Sequence, residues 1–251
     1  MAIRRTITAD VPVDAIPTDK PVLDRIDRAL RDHSRLLVTF VNPSTTVLVR
    51  RDKTVHTVFE QFDVVAPDGI ATALAIRWLH RLPAARLSFD STSLAPSVFR
   101  LAVLHNAQVV LCGGRPGIAE QAKRQLETAF PGLNIVATFH GYADHAEMAT
   151  AIGRLNPHIL VCGMGGIIQE RFLLRLTKGG WCGVGVTCGG YLDQLSRGLA
   201  YYPGLIDRLN LRWAYRLYKE PRRLWRRYLL DYPVFVLGVS KALLLSSRNH
   251  D

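Results

Sequence analysis

No two of the four cysteines form a Cys-x-x-Cys pair, and none is spaced from histidine as a zinc site requires. A disulfide scaffold and a structural zinc domain are thereby excluded, and a reduced, cytoplasmic compartment fits best. Cys112 and Cys162 each close an apolar run, where free cysteine behaves as a small buried hydrophobe. Long apolar runs are lacking too. The best, Tyr232 to Ser240, counts nine residues between Asp231 and Lys241, against roughly 20 for a membrane span. The opening MAIRRTITADVPVDAIP has basic residues without an apolar core, so it does not read as a signal peptide. Low-complexity tracts are missing as well, so the body is expected to fold.

What is present is a chain of 251 residues, 48% of them hydrophobic. That suits one well-cored domain, or a domain with an appendage. The net charge of +11 is unevenly placed, because residues 207–251 alone hold ten Lys/Arg against four Asp/Glu. A basic end on a near-ordinary body implies an anionic partner for that end.

Short apolar runs alternate with amphipathic segments. RLLVTFV (35–41), FDVVA, AQVVLC (107–112), NIVATF, HILVC (158–162) and CGVGVT (182–187) read as strands. Helices are expected over Lys20–Asp32, from Ile70 to Arg81, from Ala95 to Asn106, and after each of the turns GGRPG and GMGG. Valine- and isoleucine-rich runs separated by helices of 10–13 residues imply parallel strands covered on both faces. The predicted fold is a Rossmann-like α/β/α sandwich over residues 1–206, with 207–251 as a helical appendage. In that appendage Arg208, Arg212, Arg216, Lys219, Arg223 and Arg227 recur at three- and four-residue steps, one helix face, interleaved with tryptophan and tyrosine. Pro221 should end one helix and begin the next.

Ligands of open α/β sheets collect beyond the carboxyl ends of the strands. Four segments meet there on this topology: Thr39–Pro43, Pro67-Asp68-Gly69, Cys112–Gly117 with Gly113 and Gly114, and Gly163–Gly166 with Gly165. The glycine-rich turns suit phosphate, because backbone N–H groups and a helix N-terminus converge on them. Each residue also has a plainer reading. Asp68 stands between proline and glycine as a turn former would. Asn42 before Pro43 can simply cap a helix. Gln169 and Glu170 fit the ordinary composition of a first helical turn. His140 and His158 read as structural at strand ends.

A nicotinamide site would need a carboxylate at the end of the second strand to hold the ribose, but NIVATF ends in His140-Gly141. An oxidoreductase is disfavoured accordingly, and no cofactor is expected. The basic appendage admits a solvated face, a nucleic-acid site or a membrane-surface helix. The apolar Tyr232–Leu245 run behind it favours membrane or acceptor lipid over nucleic acid.

FVNPSTTVLVRRD, FDVVAPDGIA, VVLCGGRPGIAEQAKRQLETAFPGLNIV, NPHILVCGMGGIIQERF and LRWAYRLYKEPRRLWRRY resemble, in order, blocks of the WecG/TagA/CpsF family of bacterial glycosyltransferases, over about residues 35–230. The resemblance implies inverting transfer of a sugar from a nucleoside diphosphate, here a UDP-sugar, to a saccharide on polyprenyl diphosphate. It implies peripheral placement at the cytoplasmic face of the inner membrane, with a membrane surface and no nucleic acid as partner; homo-oligomerisation stays open. It makes Asp68 the base, Asn42 and Gln169 pocket residues, and Arg216, Arg223 and Arg226 contacts to the diphosphate. Thr39, Gly69, Arg86, Asp90, Gly113, Gly114, Gly163, Gly165 and Glu170 join them as expected substrate contacts.

The chain departs from the family pattern at three places. Thr-x-Asn becomes Phe40-Val41-Asn42 with Thr39 one place early, Arg-x-x-Gly-x-Asp becomes the Arg86–Asp90 segment without glycine, and Pro-Lys becomes Ile167-Ile168. The SFDSTSLAP variant resembles the branch with xanthan-type glucosyltransferases, which favours UDP-glucose as donor. No Asp-x-Asp metal clamp occurs anywhere in the chain, so metal-independent catalysis is expected. A non-catalytic membrane or nucleic-acid tether is the competing reading.

Overall fold

The structure, a computed structural model, describes residues 3–198, 206, 212–219 and 221–248, with the side chains of 212, 213, 216, 223 and 245–248 outside the description. A six-stranded sheet organises the chain. Its strands are β3 (Leu36–Val41), β4 (Val64–Pro67), β5 (Gln108–Gly113), β6 (Asn134–Phe139), β7 (Ile159–Gly163) and β8 (Val184–Thr187), in the order β4-β3-β8-β7-β5-β6. Every pairing is parallel. The strands are nearly all apolar because both faces of the sheet are covered. Val109 and Leu111 point into one core; Val110 and Cys112 point into the other.

The first core is closed by α1 (Lys20–Arg31), α5 (Leu94–Leu104), α6 (Ile118–Ala129) and α9 (Tyr191–Leu195). The second is closed by α2 (Pro43–Arg51), α3 (Thr54–Glu60), α4 (Ile70–His80), α7 (His145–Leu155) and α8 (Gly166–Lys178). The expected sandwich is thus present. Cys112 and Cys162, register partners on β5 and β7, are both fully buried. His158 is structural as expected: its Nδ1 accepts from the Gln108 backbone N–H at 3.0 Å.

The N-terminal segment holds an element that its sequence pattern does not announce. β1 (Arg4–Thr8) and β2 (Val11–Ala15) form an antiparallel hairpin turning at Ala9 and Asp10, both with positive φ. Pro12 and Asp14 interrupt the apolar alternation, yet both suit an edge element. Asp14 is buried and accepts from the Val65 backbone N–H at 2.7 Å, while Arg5 clasps it and also donates to the Phe62 carbonyl. The hairpin therefore covers the outer strand β4 and removes an open sheet edge.

In the C-terminal part, α10 (Arg212–Lys219) and α11 (Pro221–Arg226) meet at Pro221, which occupies a first helical position. A π-turn, Arg227–Asp231, then leads into α12 (Tyr232–Arg248). Phe235 and Val239 of α12 pack on Ala75 of α4. Gly238 lies where any side chain would meet the Arg50 guanidinium, which is itself bonded to Asp10 at 2.8 Å. Among the described residues, no helix is long and apolar enough to cross a membrane.

Candidate active site

Parallel topology brings the loops after β3, β4, β7 and β8 to one edge, where they wall a cavity of about 310 Å³. Asn42, Asp68, Ser88, Asp90, Gly165, Gln169 and Glu170 line it. Asp68 keeps the turn geometry its neighbours predict. Its N–H donates to the Val41 carbonyl at 2.8 Å, its carbonyl accepts from Thr72 Oγ1, and Gly69 takes a positive φ of 87° to start α4. Its side chain is half-buried at the cavity wall. Asp68 therefore forms the turn and lines the cavity as well. The same is true of Asn42, which caps α2 through Ser44 N–H at 3.1 Å and also lines the cavity.

A chain of buried polar groups underlies the cavity. Thr187 Oγ1 donates to Thr39 Oγ1 at 3.0 Å, and Thr39 donates to Glu170 Oε1 at 2.9 Å. Gln169 Nε2 reaches the same oxygen at 3.0 Å, while Gln169 Oε1 accepts from the Gly189 N–H at 3.3 Å. Thr39 itself is fully buried, beneath the cavity and outside its lining. Burial pushes the Glu170 carboxyl up to about 7, against the hydrogen bonds, those of Gln169 and Thr39 first, that pull it down. On unfolding this group becomes an ordinary carboxyl, so between about pH 4.5 and 7 the unfolded chain releases a proton that the folded one keeps. Stability therefore falls with rising pH across that window, by ~3 kcal/mol in full. Glu170→Gln is expected to abolish that loss, unfolding several degrees above the parent at pH 8 but not at pH 4.5. An equal difference at both pH values would show that folding does not raise the Glu170 carboxyl above its unfolded value.

Asp90 accepts from Ser88 Oγ at 2.6 Å and from Thr92 N and Oγ1, so its turn is self-bonded at the cavity rim. Arg86 lies in the same segment but outside the cavity lining. Gly113 is also outside it. A side chain there would overlap the Gly163 carbonyl, so this glycine serves the close approach of β5 to β7.

The π-turn places Arg227 and Asp231 on the wall opposite the sheet, in the cavity that holds Asp68. Arg227 Nε is buried with no hydrogen-bond partner among the described residues. Tyr232, next along the chain, is pushed up to about 12, first by burial; Arg227 lowers it, while Tyr228 and the Asp68 carboxylate raise it. The base candidate and the appendage thus stand within electrostatic range. Of the three arginines named from the resemblance, the side chains of Arg216 and Arg223 lie outside the described residues. Arg226 is exposed, its guanidinium 5.3 Å over the Trp225 ring, and lines neither cavity.

A second cavity, of about 930 Å³, adjoins the first and shares Gly165, Gly189 and Gly190 with it. Gly114, Gly141 and Gly163 line it, and Arg115, Arg197, Lys219 and Arg222 supply positive charge, with Asp193 the one carboxylate of the lining among the described residues. Sequence reasoning missed its Cys188-Gly189-Gly190 corner. That corner is a glycine-rich turn between a strand and a helix, the same signal that marked the turns after β5 and β7. Among the described residues, no three His, Cys, Asp or Glu side chains come together as a metal site.

A parallel sheet whose carboxyl edge carries glycine turns, cations and a carboxylate is the layout of a nucleotide-binding α/β enzyme. The chain belongs to the Glycosyl transferase WecG/TagA/CpsF family, whose model matches residues 6–249, and it is a glycosyltransferase. It is 30% identical over 207 residues, 80% of this chain and 84% of the relative, to a UDP-Gal:alpha-D-GlcNAc-diphosphoundecaprenol beta-1,4-galactosyltransferase of Shigella boydii. It is 26% identical over 82% of its length, and 79% of the relative's, to an N-acetylglucosaminyldiphosphoundecaprenol N-acetyl-beta-D-mannosaminyltransferase of Bacillus subtilis (strain 168). An enzyme of that second activity from Staphylococcus aureus (strain MW2) is 24% identical over 83% of this chain and 81% of the relative.

Proposed function

We propose that this enzyme moves a hexose from a UDP-sugar, with inversion, to a saccharide carried on polyprenyl diphosphate. One observation carries the reading: Asp68 and Arg227 share a small cavity that opens, past Gly165 and Gly189-Gly190, onto a larger glycine-lined and basic one. The larger cavity suits the nucleotide and its diphosphate, and the smaller suits the sugar. Asp68 takes the proton of the acceptor hydroxyl as that oxygen attacks the anomeric carbon. The bond from that carbon to the diphosphate oxygen breaks, and Arg227, Arg222 and Lys219 offset the charge that develops on the departing UDP. The activities of the relatives, a UDP-Gal donor in one and undecaprenyl-diphosphate-linked GlcNAc acceptors in all three, support the substrate classes.

Within that class we take UDP-glucose as the donor, on the SFDSTSLAP segment that forms the rim at Ser88 and Asp90. A screen of UDP-sugars for protection against thermal unfolding tests this, since a ligand of the native state raises its stability. UDP-glucose is expected to protect more than UDP-galactose; the reverse order overturns the choice of sugar alone. We also take transfer to be metal-independent, because cationic side chains stand where an Asp-x-Asp metal site would otherwise act. Chelator is expected to leave the rate unchanged. Loss of activity in chelator, restored only by a divalent ion, overturns this.

We assign residues 1–206 to the catalytic domain and 207–251 to completing the active site and to peripheral attachment at the cytoplasmic membrane face. Leu229, Leu230, Val236, Leu237 and Leu244 are exposed along the π-turn and α12, close in sequence to the exposed cations Arg222, Arg226 and Lys241. Apolar and basic groups side by side are what a headgroup interface takes.

A further inference from the structure

The two carboxyl oxygens of Glu170 are unlike. Oε1 accepts both available donors, Thr39 Oγ1 and Gln169 Nε2. Among the described residues Oε2 is buried without a hydrogen-bond partner, although the residue lines the Asp68 cavity. Neither donor is free to serve it. Thr39 is oriented by Thr187, and Gln169 is anchored at its other end by the Gly189 N–H. The plane of the carboxyl group is therefore fixed, with its unpaired oxygen left over. A buried polar atom of this kind calls for a partner from outside the protein.

The chemistry of the cavity narrows the partner. Most of the cations line the neighbouring cavity; the cavity of Glu170, with Arg227 and Asp231 on one wall, is lined chiefly by polar side chains such as Asn42, Ser88, Asp90 and Gln169. Short hydrogen-bonding side chains of this mixture suit the hydroxyls of a sugar ring. We propose that Glu170 is a sugar-specificity residue, donating a hydrogen bond from its Oε2 hydroxyl to one ring hydroxyl of the donor hexose. This rests on the nucleotide-sugar reading above and deepens it.

Burial supplies the proton, holding the carboxyl up at about 7. The ionisable groups that face it, among the described residues, are Cys162 on β7, itself kept neutral by burial, and, around the cavity, Cys188, Tyr191, Asp68, Asp90, Arg227 and Asp231. Above pH 7 the Oε2 hydroxyl is lost, and it then accepts where it had donated.

The test compares UDP with UDP-glucose and UDP-galactose by calorimetric titration at pH 6 and 8, without acceptor. It uses the full chain and the variants E170L and E170Q. In E170L the preferred UDP-hexose should bind about 10- to 100-fold more weakly, with UDP unchanged; the UDP result also certifies the fold. E170Q should retain most of the sugar affinity, since its amide keeps a donor in the Oε2 position. UDP itself loses a phosphate proton over this range, so the pH effect is read against E170Q: the advantage of UDP-hexose over UDP should shrink more from pH 6 to pH 8 in the parent than in E170Q. Equal losses for UDP and UDP-hexose in E170L, or no loss for either, overturn the assignment, as does a parent-like pH dependence in E170Q. A parent chain that binds neither UDP nor UDP-hexose brings down the nucleotide-sugar reading itself.

Discussion

Asp68→Asn is expected to cut sugar transfer by about 10²-fold or more while leaving donor affinity unchanged. That is the usual scale of a general base removed from the transition state without disturbing binding. The variant is a clean one. The backbone of the corner is held by the Val41 carbonyl and the Thr72 hydroxyl, and its sharp turn is made by Gly69. None of these uses the charge of the side chain. The amide has the same shape and cannot take a proton. Single-turnover rates and donor titrations on the two proteins separate chemistry from binding. A non-catalytic tether would be indifferent to the change, so equal rates would remove Asp68 as the base.

Arg227→Ala is the second large effect, a fall of about 10²- to 10³-fold in kcat, the range seen when one oriented donor to a developing negative charge is lost. The argument is geometric. Arg227 lines the Asp68 cavity and, among the described residues, its Nε is buried without a hydrogen-bond partner and no alternative cation lines that cavity. Removal of residues 207–251 should abolish transfer altogether and reduce sedimentation with anionic vesicles. Among the described residues, neither main core contains anything beyond Leu195, so the sheet and its helices should stay folded without the appendage. Circular dichroism of the shortened chain checks the fold. Full activity in it, or in Arg227→Ala, overturns the role given to this arginine.

The strands were legible because a parallel sheet covered on both faces needs near-continuous apolar runs, and HILVC and AQVVLC have them. The corners carrying Asp68 and Gly165 followed from topology alone, since parallel strands put all their carboxyl ends on one edge. The hairpin was not legible: VPVDA places a proline and a buried acid where alternation is expected, and its burial depends on partners fifty residues away. Arg227 illustrates a different limit. Helical spacing put it on one face with Arg216 and Arg223, but the π-turn after Arg226 changes the phase, and no propensity in Arg-Tyr-Leu-Leu-Asp announces that extra residue. Glu170 could be placed in a first helical turn from sequence. That one oxygen would be saturated and the other left unpaired depends on Thr39 and Thr187, which only the pairing of β3 with β8 brings together.

The N-terminal hairpin has a reach beyond closing the sheet. Asp14 holds the Val65 N–H three residues before Asp68, and Val41 holds the N–H of Asp68 itself. The height of Asp68, the proposed base, over the sheet is thus set from two directions, one of them a carboxylate near the start of the chain. A change at Arg5 or Asp14 far from any substrate would be felt as an altered distance between base and acceptor. Such a variant would look like a damaged catalyst while every residue that touches substrate remained in place.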